Sequence, residues 1–217
     1  MSFSRLIIIA GLTAAALPAL AATSSFDTGI EGWTAQGDVE GGLQWSSTGG
    51  NPGGHVFIDD QTVGGVTYFI APDAFRGNHS GALGTNLTFD LKQVYPGGAN
   101  QFESPDVILQ GNGLTVTFNT QENPTNGAWT SYSVPLSATG WTLDSLSGTP
   151  ATTAQFASVL SNVTALKVRA EYQSGADIGY LDNVAMVPEP GTWAMLLAGL
   201  CSIGWAARAR RATHLPR

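Results

Sequence analysis

Aromatic rings and carboxylates are the side chains of this sequence best equipped for chemistry, because the usual catalytic groupings are missing. No Gly-x-Ser-x-Gly elbow, His-x-x-x-His pair or Cys-x-x-Cys pair occurs anywhere in the 217 residues. Between residues 22 and 187 there are two histidines, His55 in a glycine-rich stretch and His79 in Gly77-Asn78-His79-Ser80. Both read as surface loop residues, since a histidine acquires a role only in a matched cleft. The same stretch holds fifteen Asp and Glu. A glycosidase needs two carboxylates roughly 5–10 Å apart, and an acid count alone does not supply that geometry. A sugar-binding site needs aromatic platforms beside polar hydrogen-bonding groups. Trp33, Trp45, Trp129 and Trp141, with Tyr68 and Tyr95, are the candidate rings. Most are expected to fill the core, Trp33 among them. Trp129, which follows Asn126-Gly127-Ala128, is expected beside a loop, and Trp45 and Trp129 are the two candidates for a ligand face.

The elements that must position these residues are short strands. Leu87, Phe89 and Leu91 alternate with Thr88, Asp90 and Lys92; Leu114, Val116 and Phe118 alternate with Thr115, Thr117 and Asn119. Leu166, Val168, Ala170 and Tyr172 alternate with Lys167, Arg169 and Glu171. A period of two with one polar side predicts sheets packed on one face. Further strands are expected at Val66–Ala71, Val107–Gln110, Ser131–Leu136 and Ile178–Val187, with Pro135 suited to an edge. One helix interrupts them. Phe156, Val159, Leu160 and Val163 form a stripe of helical period, and Thr152 with Gln155 can make its capping box. Turn residues fall at Gly97-Gly98, Asn112-Gly113 and Pro124-Thr125-Asn126-Gly127, and Gly49–Gly54 reads as a loop.

Both ends follow a different logic. Residues 1–21 combine Arg5, an apolar run from Leu6 to Leu17 and Ala19-Leu20-Ala21, the three parts of a secretory signal peptide with cleavage expected after Ala21. At the other end Gly191 to Ala207 carries no charge, and Arg208, Arg210 and Arg211 follow. That run reaches the short limit of a membrane-spanning helix, and the arginines would hold its end in the cytoplasm. With these ends set aside, Arg76, Lys92, Lys167 and Arg169 are the only fixed cations against the fifteen acids. Such a domain does not bind nucleic acid electrostatically. The single cysteine, Cys201, lies in the tail, so the domain contains no internal disulfide.

The tail Val187-Pro188-Glu189-Pro190-Gly191, with the apolar stretch and the arginine cluster after it, resembles the PEP-CTERM sorting signal. The resemblance covers residues 188–217 and implies processing by an exosortase in a Gram-negative, exopolysaccharide-producing bacterium, with an inner-membrane-anchored precursor. A second resemblance covers most of residues 26–187 within the expected ectodomain, residues 22–187. Gly49–His55, Tyr68–Pro72, Leu87–Lys92, Phe156–Leu166, Val168–Tyr172 and Leu181–Val184 follow one another in the order of a laminin B, or laminin IV type A, domain. It implies an all-β jelly-roll sandwich similar to galactose-binding and carbohydrate-binding modules, extracellular and non-catalytic. In jelly rolls of this kind the first and last strands run together and a calcium ion can link them, which makes Asp27 and Asp182 candidate ligands. Asp182 shares parity with Tyr180 and Val184, while Leu181, Ala185 and Val187 form the other set, so either set can face inward. The function these readings favour is a non-enzymatic envelope or matrix protein contacting exopolysaccharide. A small glycan hydrolase or lyase, or a purely structural surface protein, is the alternative.

Overall fold

The computed structural model describes residues 21–37, 39, 41–61, 65–96 and 103–188. The globular unit runs from Ala19 to Glu189. The expected signal peptide and the expected membrane helix with Arg208, Arg210 and Arg211 lie outside the described residues, as do Glu189 and Pro190. Among the described residues no helix is long and apolar enough to cross a membrane.

Among the described residues the unit has twelve strands and one α-helix. In chain order they are β1 (Ala22–Ser24), β2 (Thr34–Gln36), β3 (Gln44–Ser46), β4 (His55–Asp60), β5 (Tyr68–Ile70), β6 (Asn86–Val94), β7 (Val107–Gly111), β8 (Leu114–Phe118), β9 (Thr130–Pro135), β10 (Thr142–Leu143), α1 (Thr153–Ser161), β11 (Val163–Arg169) and β12 (Asp177–Met186). They form two antiparallel sheets. One has the order β3-β4-β12-β6-β9, with β1 also paired to β12; the other has the order β10-β8-β7-β11-β5-β2. Consecutive strands are mostly not neighbours, so the sheets close only through long-range pairing.

The core lies between the sheets. Val56, Ile58, Leu87, Phe89, Leu91, Val134 and Leu181 from the first sheet are buried with Phe69, Val107, Leu109, Val116, Leu166 and Val168 from the second. Each alternates along its strand, as the pleat requires. Asn112 and Gly113, both at positive φ, make the two-residue turn joining β7 to β8, the conformation a tight hairpin favours. Helix α1 starts at the expected capping box. Thr152 Oγ1 accepts from Gln155 N at 3.3 Å, and Gln155 Oε1 accepts from Thr152 N at 2.9 Å. Its buried face, Phe156, Val159 and Leu160, joins Trp141 and Phe118 at one end of the core. Trp33 packs edge-on between Phe26 and Phe75, with its indole N–H donated to Ser24 Oγ at 2.9 Å.

Five strands were not revealed by alternation, β1, β2, β3, β4 and β10, and the first four lie in the first third of the domain. The strand β4 begins at His55, so the histidine expected in a surface loop is a buried strand residue. His79 is buried too, its backbone N–H donated to Leu160 and its ring Nε2 3.1 Å from the Arg76 carbonyl. Arg169 and Glu171, expected on a polar exposed side, are also buried. The segment at Ser104–Asp106 gives Arg169 a carbonyl and a carboxylate partner, and Thr67 N donates to Glu171, so both are hydrogen-bonded rather than solvated.

Candidate functional site

The first sheet turns a row of rings away from the core. Phe57 on β4 stands opposite Tyr180 on β12, which stands opposite Lys92 on β6. Trp129, just before β9, completes the row. Phe57 and Tyr180 stack with ring centres 5.8 Å apart. The Lys92 ammonium lies 4.1 Å from the Tyr180 ring centre and 4.7 Å from that of Trp129, attracted by both ring faces. Burial holds the Lys92 pKa below its ordinary value. His55 sits among Phe57, Tyr180 and Trp129 at 5.4–5.9 Å. Burial, and then the charge of Lys92, push its pKa down, so the imidazole is neutral at pH 7. Its Nδ1 is buried without a hydrogen-bond partner among the described residues. The face therefore presents a packed row of rings with one ammonium among them, and the His55 imidazole is buried beneath it.

A loop from Gly49 to Gly54 folds over the next row of the same sheet. Asp182 and Asp90 are cross-strand partners there. Asp182 is fully buried: its Oδ2 accepts from Asn51 N at 2.6 Å and its Oδ1 from Asn183 N at 2.7 Å. Burial raises its pKa, the nearby charges of Asp90 and Asp27 add to this, and the two backbone N–H groups pull it back. Asp27 Oδ1 accepts from Gly54 N at 3.4 Å and Oδ2 from Ser25 Oγ at 3.1 Å. Glycines let the loop lie this close. A Cβ at Gly50 would sit 2.6 Å from Asp182 Oδ2, and one at Gly53 would collide with Asp27 Oδ1. The two expected calcium ligands thus border one turn. Among the described residues no group of three or more His, Cys, Asp or Glu side chains is arranged to hold a metal, so any ion there would draw on two carboxylates and backbone carbonyls.

The parity of Asp182 has an explanation that neither inward set anticipated. Register slips between Asp182 and Ala185 at a β-bulge, with Asn183 at φ +50°. Leu181 faces the core before the bulge, and Val184 and Met186 face it afterwards. Asp182 stands on the Tyr180 side and is buried because the loop covers it.

A second polar cluster fills one end of the interior. Arg169 pairs with Asp106 at 3.4 Å, both buried, and lies 4.3 Å from the Tyr172 ring centre. Its Nε donates to the Glu171 carbonyl at 2.6 Å. Glu171 Oε2 accepts from Thr67 N at 3.0 Å, and Thr67 Oγ1 donates to Asp60 Oδ2 at 3.2 Å. Asp177, opposite Asp60, accepts from the Gln93 amide and the Tyr172 N–H. Burial pushes Glu171 and Asp177 up to about 7 each, and the neighbouring acids add to the effect.

Of the two ring candidates, only Trp129 belongs to the aromatic row. Trp45 is paired with Val56 and so shares the core-facing side at an edge strand, 38% exposed, its N–H donated to the Phe26 carbonyl at 2.6 Å. The missed members, His55, Phe57, Lys92 and Tyr180, carry one readable signal: Lys92 and Tyr180 are the polar-side residues of alternating strands. Nothing in the sequence pairs their strands.

The family model described as Laminin B (Domain IV) matches residues 68–188, more than half of the chain. The chain belongs to the laminin B family. A second model, the PEP-CTERM protein-sorting motif, matches residues 187–211, which marks this laminin B chain as an exported protein. Laminin subunit gamma-2 of Homo sapiens is 31% identical over 186 residues, covering 76% of this chain but only 13% of the laminin subunit. Among solved structures, an exo-beta-agarase shares 15% identity with a TM-score of 0.50, over 76% of this chain and 24% of that one. The family 11 carbohydrate-binding module of Clostridium thermocellum, in complex with a beta-1,3-1,4-mixed-linked tetrasaccharide, shares 16% identity with a TM-score of 0.49, over 80% and 98%. The laminin B domain here is an all-β sandwich of two sheets with one short helix.

Proposed function

We propose that this laminin B domain is an exported, non-catalytic module that binds a polysaccharide on the outer face of its first sheet. The observation that carries the reading is the row Phe57, Tyr180, Lys92 and Trp129 across four adjacent strands. Strands about 4.8 Å apart make this a track about 14 Å long. Sugar rings stack on aromatic faces, and an ammonium beside them donates to hydroxyl oxygens. Calcium is proposed as a structural ligand between Asp27 and Asp182, since hard cations take carboxylate and carbonyl oxygens and both carboxylates border the Gly50–Gly53 turn.

The tail is proposed as an exosortase substrate, processed at Pro188-Glu189-Pro190 after export and signal-peptide removal at Ala21. Ala22 pairs with Met186, so the strand ends nearest the two expected processing points are neighbours. The product would rest at the cell surface or in the exopolysaccharide of a Gram-negative bacterium. Intact mass of fractionated protein tests both cuts.

Affinity electrophoresis of the full chain in gels containing mixed-linkage β-glucan, xylan, agarose or alginate tests the binding reading. At least one polysaccharide should retard migration. Trp129→Ala and Tyr180→Ala should each weaken binding about tenfold, while Trp45→Ala should not. No retardation in any gel rules the reading out.

A further inference from the structure

Trp129 stands in the loop before β9, and its indole is held from outside its own strand. Its Nε1 donates to the Gly49 carbonyl at 3.2 Å. The loop that Gly49 opens is tied to the sheet by a set of amide contacts two residues further on. Asn51 N donates to Asp182 Oδ2 at 2.6 Å, and Asn51 Nδ2 donates to Asp90 Oδ2 at 3.2 Å. Asn183 Nδ2 donates to the Asn51 carbonyl at 2.5 Å and to the same Asp90 Oδ2 at 2.8 Å. One side-chain amide therefore bridges the loop and the sheet.

Asn183 reaches that position because of the bulge. Its φ of +50° is a left-handed conformation that asparagine adopts more readily than most residues. The bulge turns its amide toward the loop instead of leaving it in the strand's regular alternation. Hydrogen bonds to a carboxylate are stronger than neutral ones, and Asp90 accepts from both asparagines at once.

We propose that Asn183 is the positioning residue of the aromatic face: it clamps Asn51 to Asp90 and so sets the Gly49 carbonyl that holds the Trp129 indole beside Lys92 and Tyr180. The proposal deepens the polysaccharide reading and rests on it for its purpose, though not for its geometry. A face whose tryptophan is already fixed loses less side-chain freedom when a ligand arrives, and affinity gains accordingly.

The test replaces Asn183 with Gly in the full chain. Glycine keeps the positive φ at no steric cost and removes only the amide. In 15N-labelled protein the indole N–H resonance of Trp129 is identified by its loss in Trp129→Phe. Asn183→Gly should shift and broaden that resonance while leaving the resonances of buried Trp33 and Trp141 in place. It should also weaken binding to whichever gel polysaccharide retards the wild type, by about three- to tenfold. Asn183→Asp, which keeps the backbone preference but sets a second carboxylate against Asp90, should do the same and serves if the glycine variant does not fold. An unmoved Trp129 resonance in both variants overturns the clamp, whatever the affinity. A moved resonance with unchanged affinity overturns its role in binding. A moved resonance in a protein that binds none of the polysaccharides refutes the proposed function and leaves the clamp standing.

Discussion

Asp60 and Asp177 face each other across β4 and β12, both on the core side of the sheet and both buried. Carboxylates in that arrangement, with Glu171 close enough to feel both, cannot all be charged without a large penalty.

Stability should therefore fall as pH rises through neutrality. Glu171 and Asp177 titrate near 7 in the folded state, well above their ordinary 4.5 and 3.8, so the folded state holds protons the unfolded chain has released. Their stabilising contribution is complete below about pH 4 and disappears as pH passes 7. His55 and His79 work in the opposite sense, since burial lowers both, but their effect ends near pH 6.5. The clean window is pH 6.5 to 8. Melting temperature should decline from the lower end of it and level off above about pH 7.5, and Asp177→Asn should flatten the decline. A melting temperature that climbs over this range contradicts the assignment.

Calcium should raise the melting temperature of the full chain, and a chelator should reverse the gain. Saturation at a hundredfold excess over the dissociation constant corresponds to about 2.7 kcal/mol. Asp27→Asn and Asp182→Asn should each abolish the response. Identical melting curves with calcium and with chelator would remove calcium from the account.

Arg169 should be among the most costly residues to truncate. Its guanidinium is buried against Asp106, the Ser104 and Glu171 carbonyls and the Tyr172 ring. Arg169→Met leaves the buried Asp106 without its ion-pair partner, a loss of about 3–5 kcal/mol. Chemical denaturation measures it directly. Adding Asp106→Leu should recover part of the loss, and a double variant no more stable than the single one speaks against an electrostatic origin.

Thr152→Ala should cost about 1 kcal/mol through loss of the helix cap. For a domain of this size that is about 2–4 °C in melting temperature. Thr152→Ser should retain most of the wild-type value, and equal losses in the two variants would argue that the hydroxyl is not what matters.

The sequence by itself determined the elements whose signals are local. Alternation marked β6, β8 and β11; the Thr152–Gln155 box marked α1; Asn112-Gly113 marked the hairpin. These depend on neighbours within a few positions, so period and turn chemistry expose them. The strand β4 stayed hidden because both of its faces are occupied, Val56 and Ile58 by the core and His55 and Phe57 by the aromatic row, which erases the polar half of the pattern. Arg169 and Glu171 looked exposed because charge usually means solvent, and only the folded chain supplies the partners that let them be buried. The proposed binding face was decided by tertiary structure alone. Phe57, Lys92, Trp129 and Tyr180 are scattered over more than a hundred residues, and what unites them is the non-sequential order β4-β12-β6-β9, fixed by hydrogen bonding between strands that no local pattern pairs.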